Sequence, residues 1–261
     1  MMSTSDILIA TRADNVLRLT LNRPARRNAV NDDLILRLTS AFDEASQDPD
    51  IRAIVLTGSG DRAFCSGADL TPGADTFGFD YAQPVSNYAN LLRAGRRATV
   101  PVIGRINGFC LAGGMGLLAI CDMAVADSTA KFGLPEVKVG LFPMQVAALL
   151  QSMLPARTFA EMCYTGEMLS AEEALACGLV NYVAGPDELD AKTDWLVELV
   201  VSKSPTAIRR GKYALSATSG MTFEQSIAFL ESQIGLMPLT GDAREGLAAF
   251  AEKRAPKWSG T

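Results

Sequence analysis

The chain has 261 residues, 48% of them hydrophobic and 20% charged, with a formal net charge of −5. That is enough chain and apolar content for a buried core, as one large domain or one domain with an appendage, and it excludes an intrinsically disordered chain. The acidic balance argues against a nucleic-acid partner, and the absence of histidine excludes a Ser-His-Asp triad, a Cys-His dyad and His-rich metal sites.

No apolar run reaches membrane-spanning length, and Met1-Met2-Ser3-Thr4-Ser5-Asp6 lacks the basic start of a secretory signal. The five cysteines, Cys65, Cys110, Cys121, Cys163 and Cys177, are odd in number, scattered and never in a C-x-x-C. They read as free thiols in a reducing cytoplasm, with no metal site expected.

In chain order, Val16 to Leu21 alternates apolar and polar residues and predicts a half-buried strand, ended by Asn22-Arg23-Pro24-Ala25. From Asp32, Leu34, Ile35, Leu38, Ala41, Phe42 and Ala45 fall at helical spacing. Ile51 to Thr57 predicts a short buried strand closed by Gly58-Ser59-Gly60. Pro101 to Ile106 predicts another, and Gly113 to Ile120 a helix. The first half is thus a mixed sheet layered with helices.

After about Val146 the pattern becomes almost wholly helical. Ser170-Ala171-Glu172-Glu173 and Thr222-Phe223-Glu224-Gln225 are capping boxes. The second opens a helix with Phe223, Ile227, Leu230, Ile234 and Met237 on one stripe. A last helix follows Thr240, with Ala243, Leu247, Phe250 and Ala251 expected inward. Thr71 to Pro84, rich in Gly, Pro and Asp, reads as a flexible loop.

Chemistry concentrates in two glycine turns and one carboxylate. The turns are Phe64-Cys65-Ser66-Gly67-Ala68-Asp69-Leu70 and Asn107-Gly108-Phe109-Cys110-Leu111-Ala112-Gly113-Gly114-Met115-Gly116; the carboxylate is Glu136 in Phe132-Gly133-Leu134-Pro135-Glu136. Glycine lets backbone approach a ligand and leaves N–H groups to point at it. Two such turns can aim two donors at one oxygen while a carboxylate moves a proton, the minimum set for enolate chemistry. Each piece alone has a plainer reading: a tight strand-to-helix connection, a structural turn with Asp69 bonding local backbone, an exposed loop glutamate. The apolar neighbours of Glu136 favour a raised pKa and general-base work. Arg23, Arg26 and Arg27 gather positive charge suited to an anion, whereas Lys253, Arg254 and Lys257 also fit a plain helix end. Gly114-x-Gly116-x-x-Ala119 matches a loose dinucleotide fingerprint, but Gly108 to Ala112 separates it from the predicted strand.

Taken together, Asn22-Arg23-Pro24-x-x-x-Asn28-Ala29, Ala63 to Leu70, Asn107-Gly108-x-x-x-Ala112-Gly113-Gly114, Cys121-Asp122 and Phe132-Gly133-x-Pro135-Glu136-x-x-x-Gly140 resemble the crotonase (enoyl-CoA hydratase/isomerase) superfamily, from about Ile7 to Trp258. The resemblance implies an α/β spiral of ββα units over residues 1–195 and a helical C-terminal region, 196–261, that makes homotrimers or hexamers. It implies an acyl-CoA thioester as substrate, with coenzyme A as part of that substrate and no other cofactor. The thioester oxygen is expected between the N–H groups of Ala68 and Gly113, flanked by Ser66, Asp69 and Leu70. Arg26 or Arg27 is expected near the CoA phosphates and Ala29 near the adenine. Phe250 and Lys253 are expected to complete a neighbouring subunit's CoA site.

One departure from the pattern bears on the reaction. Two-carboxylate hydratases of this superfamily carry a first glutamate three residues after the second-turn glycine, and here that position is Gly116. The second glutamate matches Glu136. A lone base suits Δ3,Δ2-enoyl-CoA isomerisation. Hydration would need a substitute polar group, for which Asp75, Asp80 and Tyr81 are candidates. A non-catalytic acyl-CoA-binding role is the alternative of another class. Leu141, Met144, Met153 and Met162 are candidates for an acyl pocket, although such residues are more often core.

Overall fold

The computed structural model describes residues 6–70, 82 and 85–261. The chain opens with an antiparallel hairpin, β1 (Leu8–Ala13) and β2 (Val16–Leu21), then a 3-10 turn at Pro24–Arg26 and α1 (Asp32–Gln47). β3 (Ala53–Gly58), β4 (Ala63–Cys65), α2 (Asn87–Arg97), β5 (Val102–Ile106), β6 (Phe109–Leu111) and α3 (Gly113–Ala119) follow. Next come β7 (Met123–Asp127), β8 (Lys131–Gly133), a 3-10 turn at Pro135–Val139, α4 (Met144–Leu150), α5 (Ala156–Thr165), β9 (Met168–Ser170), α6 (Ala171–Ala176) and β10 (Tyr182–Ala184). The C-terminal part is helical: α7 (Leu189–Val201), α8 (Pro205–Thr218), α9 (Phe223–Ile234), a 3-10 turn at Met237–Leu239 and α10 (Gly241–Glu252).

Among the described residues two sheets result, one ordered β1-β2-β3-β5-β7-β10 and one ordered β4-β6-β8-β9. From β2 onward the larger sheet is parallel, with Leu19 opposite Leu56, Val55 opposite Ile103 and Tyr182 opposite Val125. Period-two alternation divides its side chains between two cores. Leu19, Leu21, Ile54, Leu56 and Ile106 pack with Leu34, Leu38 and Phe42 of α1 and Leu91 of α2. Val55, Ile103 and Val125 face the other way, against Leu189, Leu196 and Val197 of α7.

α1 starts where Asn31 accepts a hydrogen bond from the Leu34 N–H, and both expected capping boxes are formed, at Ser170 and Thr222. The last two helices depart from expectation. Leu247 and Phe250 are 69% and 86% exposed, and Ala251 is exposed too, so they do not point inward. Phe223, Ile227 and Ile234 are also exposed, and Met237 lies past the end of α9. α10 instead buries Asp242 and Ala249, because only one side of it rests on the chain.

Candidate active site

The smaller sheet delivers both glycine turns. β4 ends in the first and β6 lies within the second, just ahead of Gly113, and the two strands pair in parallel with Cys65 opposite Cys110. The segment Phe109–Leu111 is therefore itself a strand, so the glycines after it do follow one. Separation from a strand does not argue against a dinucleotide fingerprint here.

Two asparagines hold the turns in place. Asn28, wholly buried, donates from Nδ2 to the carbonyls of Ser59 and Ala63 and accepts the Arg23 N–H at its Oδ1. Asn107 donates to the carbonyls of Gly58 and Gly60 and accepts the Gly58 N–H. Each buried amide thus satisfies backbone groups that the strand ends leave over.

The turns touch through Gly67. Its φ is +97°, and a Cβ there would lie 2.6 Å from the Ala112 Cβ and 3.3 Å from the Gly113 nitrogen. Gly114 is equally constrained, since a Cβ would come within 2.3 Å of the Cys65 carbonyl oxygen. Ala112, at φ 51° and ψ −122°, holds a conformation rare for a residue with a side chain, as its N–H donates to Gly133. The bridge between Val30 and Ala68 uses the Gly67 carbonyl and the Asp69 N–H. The N–H groups of Ala68 and Gly113 make no hydrogen bond among the described residues.

Ala68 and Gly113 both line a cavity of about 910 Å³, and so does Glu136. Leu141, Phe142, Met144 and Val146 make an apolar wall of it. Glu136 sits in the 3-10 turn after β8, its Oε2 buried and without a hydrogen-bond partner among the described residues. Burial pushes its pKa above the ordinary carboxylate value. Two spare N–H groups and a carboxylate of raised basicity in one cavity can stabilise an oxyanion and move a proton beside it. Cys65 is no competing nucleophile, because burial pushes its thiol up to about 12.

The other expected site residues divide. Ser66 and Leu70 line the same cavity. Arg26 and Arg27 are exposed, whereas Ala29 is buried and its carbonyl accepts from Arg23. Arg23 is held by Asp69 at 2.6 Å, so the third arginine of the basic cluster serves an internal ion pair and Asp69 answers it. Phe250 and Lys253 are exposed on α10 and just past its end, and neither lines the cavity. Of the acyl-pocket candidates, Leu141 and Met144 line the cavity; Met162 is buried in the core, and Met153 is not part of the wall. Asp75, Asp80 and Tyr81 lie outside the described residues.

Sequence reasoning missed Tyr88, on the first turn of α2, which lines the cavity and donates its hydroxyl proton to the Gly113 carbonyl. A lone tyrosine between the two turns in sequence carries no spacing signal, and only the fold brings it to Gly113.

These features define an acyl-CoA enzyme of the crotonase fold. The family model for enoyl-CoA hydratase/isomerase matches residues 11–261, and the chain belongs to that family. It is 34% identical to (E)-benzylidenesuccinyl-CoA hydratase of Thauera aromatica, over 95% of this chain and 97% of the relative. It is 35% identical to carnitinyl-CoA dehydratase of Salmonella typhi, over 98% and 99%. The solved enoyl-CoA hydratase of Mycobacterium smegmatis superposes with a TM-score of 0.89 at 33% identity, covering 97% of this chain and 99% of that one.

Proposed function

We propose that the chain moves the double bond of a 3-enoyl-CoA into the 2-position, with Glu136 as its single proton carrier. Glu136 takes a proton from C2 of the bound thioester. The negative charge passes to the thioester oxygen, which accepts hydrogen bonds from the Ala68 and Gly113 N–H groups. Each donor is expected to lower the barrier by about 3–4 kcal/mol. Glu136 then returns the proton to C4, leaving the conjugated 2-enoyl-CoA. The observation that carries this reading is the carboxylate of Glu136, its pKa raised by burial, in the cavity lined by Ala68 and Gly113, in a chain whose position 116 has no side chain. Product analysis of 3-enoyl-CoA with wild type beside Glu136→Gln tests it: conversion abolished by the substitution supports the reading, and near-full activity in the variant sinks it.

A second reading is hydration of a 2-enoyl-CoA to a 3-hydroxyacyl-CoA, favoured by the hydratase and dehydratase names of the relatives. A 3-hydroxy product from a 2-enoyl substrate would select it. On either reading the exposed apolar residues of α9 and α10 support a homotrimer or hexamer, in which Phe250 and Lys253 of one subunit reach the CoA of the next. Light scattering of the purified protein tests the assembly.

A further inference from the structure

Gly116 has no side chain, yet the space beside it is occupied. A Cβ built on Gly116 would lie 2.2 Å from the hydroxyl oxygen of Tyr88, 3.2 Å from Leu92 Cδ2 and 3.3 Å from the Tyr88 ring carbon Cζ, so the hydroxyl is much the nearest neighbour. One built on Gly113 would lie 3.4 Å from the same oxygen. Tyr88 therefore fills the volume that any side chain at 116 would enter. Its one hydroxyl proton is committed to the Gly113 carbonyl.

The approach of Tyr88 is held from its own helix. Ser86 caps α2 by accepting the Ala89 N–H at 3.2 Å, and it also accepts from the Gln145 side chain of α4 at 2.6 Å. The start of α2 is thereby fixed against the far wall of the cavity. Burial, with smaller contributions from Cys65, Cys110 and Glu136, pushes the phenol far above its usual range. The hydroxyl stays neutral and remains a donor.

Resting on Glu136 as the single proton carrier, we infer that Tyr88 is a positioning and reaction-selecting residue. It fixes the Gly113 turn through its carbonyl, and it fills the place that a second proton-transfer group or an attacking water would need. A group that held Gly113 without filling that volume would leave room for hydration.

The test compares wild type with Tyr88→Phe, Tyr88→Ala, Gly116→Ala and the Tyr88→Phe/Gly116→Ala pair, each checked for an intact melting transition. The first readout is exchange of the C2 hydrogens of saturated butyryl-CoA with D2O, which needs the base and the oxyanion donors but no isomerisation. Tyr88→Phe is expected to slow exchange about tenfold while butyryl-CoA affinity changes less than about twofold. Gly116→Ala is expected to slow it similarly alone and to add less in the Tyr88→Phe background, because the severe 2.2 Å clash is with the hydroxyl and only the 3.2 and 3.3 Å approaches to Leu92 and the ring remain. The second readout is product partition from 3-enoyl- and 2-enoyl-CoA. Tyr88→Ala is expected to raise the share of 3-hydroxyacyl-CoA about tenfold.

Unchanged exchange in Tyr88→Phe overturns the positioning role, and an unchanged product share in Tyr88→Ala overturns the exclusion of water. If Tyr88→Ala does not fold, Tyr88→Leu takes its place with the same expectation. Wild type that exchanges C2 hydrogens without isomerising overturns the isomerase reading and leaves the Tyr88 role to be judged by exchange. Wild type that does not exchange overturns both.

Discussion

The guanidinium of Arg23 stands 2.6 Å from the Asp69 carboxylate, with both side chains largely buried at 15% and 10% exposure. The same arginine donates to the Ala29 carbonyl. One ion pair therefore fastens the turn after β2 to the residue that follows Ala68. Asp69→Ala would leave the arginine charge uncompensated, and we expect it to lower unfolding stability by about 3–5 kcal/mol, read from the urea midpoint. Asp69→Asn, which keeps a hydrogen-bond acceptor, should lose less.

Glu136 gives a prediction with a definite sign. Its pKa is raised in the fold by burial, so the folded state favours the neutral acid. The ionised form thus costs stability at pH values above the raised folded value. That cost disappears as pH falls below the unfolded value of about 4.3. Glu136→Gln should therefore melt above wild type at pH 8 and level with it at pH 4, while losing catalysis at every pH. In wild type, kcat/KM should rise with pH through the raised pKa, since the base must be ionised.

Gly67 is the contact point of the two turns. Gly67→Ala must place a Cβ 2.6 Å from that of Ala112 on a backbone with φ of +97°. We expect about 1–3 kcal/mol of strain, and a fall in kcat of about 10²–10³ as the Ala68 donor moves off its target. Steady-state kinetics beside a melting curve separates the two effects.

Asp242 is nearly fully buried and holds the last residues of the chain. It accepts from the Ser204 hydroxyl at 2.8 Å and from the N–H groups of Ser259 and Gly260 at 2.9 and 3.0 Å. Burial alone would raise its pKa, but these donors outweigh it and hold the carboxyl below the ordinary range. Its contribution is therefore present above about pH 3.9 and lost as pH falls through the lower folded value. Asp242→Ala should cost about 2–4 kcal/mol at neutral pH, measured by denaturant titration.

Much of this was legible in the residues. Val16 to Leu21 and Pro101 to Ile106 alternate or run apolar because each lies in a sheet buried against helices, and they form strands within a residue of expectation. The two capping boxes were legible because their chemistry is local. The three-residue strands of the second sheet were not, since so short a run has no period to read. The stripes of α9 and α10 looked like core because a sequence records only that a face is apolar, not which molecule covers it. The raised pKa of Glu136 could be read from its apolar neighbours, whereas the contact of Tyr88 with Gly113 could not, because it exists only where the fold brings α2 to the second turn.

The strands of each sheet lie side by side in the same order as they occur along the chain, β1-β2-β3-β5-β7-β10 in one and β4-β6-β8-β9 in the other. During synthesis every new strand can add to an edge whose neighbour has already left the ribosome. Neither sheet has to reopen to admit a latecomer. Both glycine turns and Glu136 lie before α4, so the geometry on which the proposed reaction depends can assemble on the nascent chain ahead of the C-terminal helices.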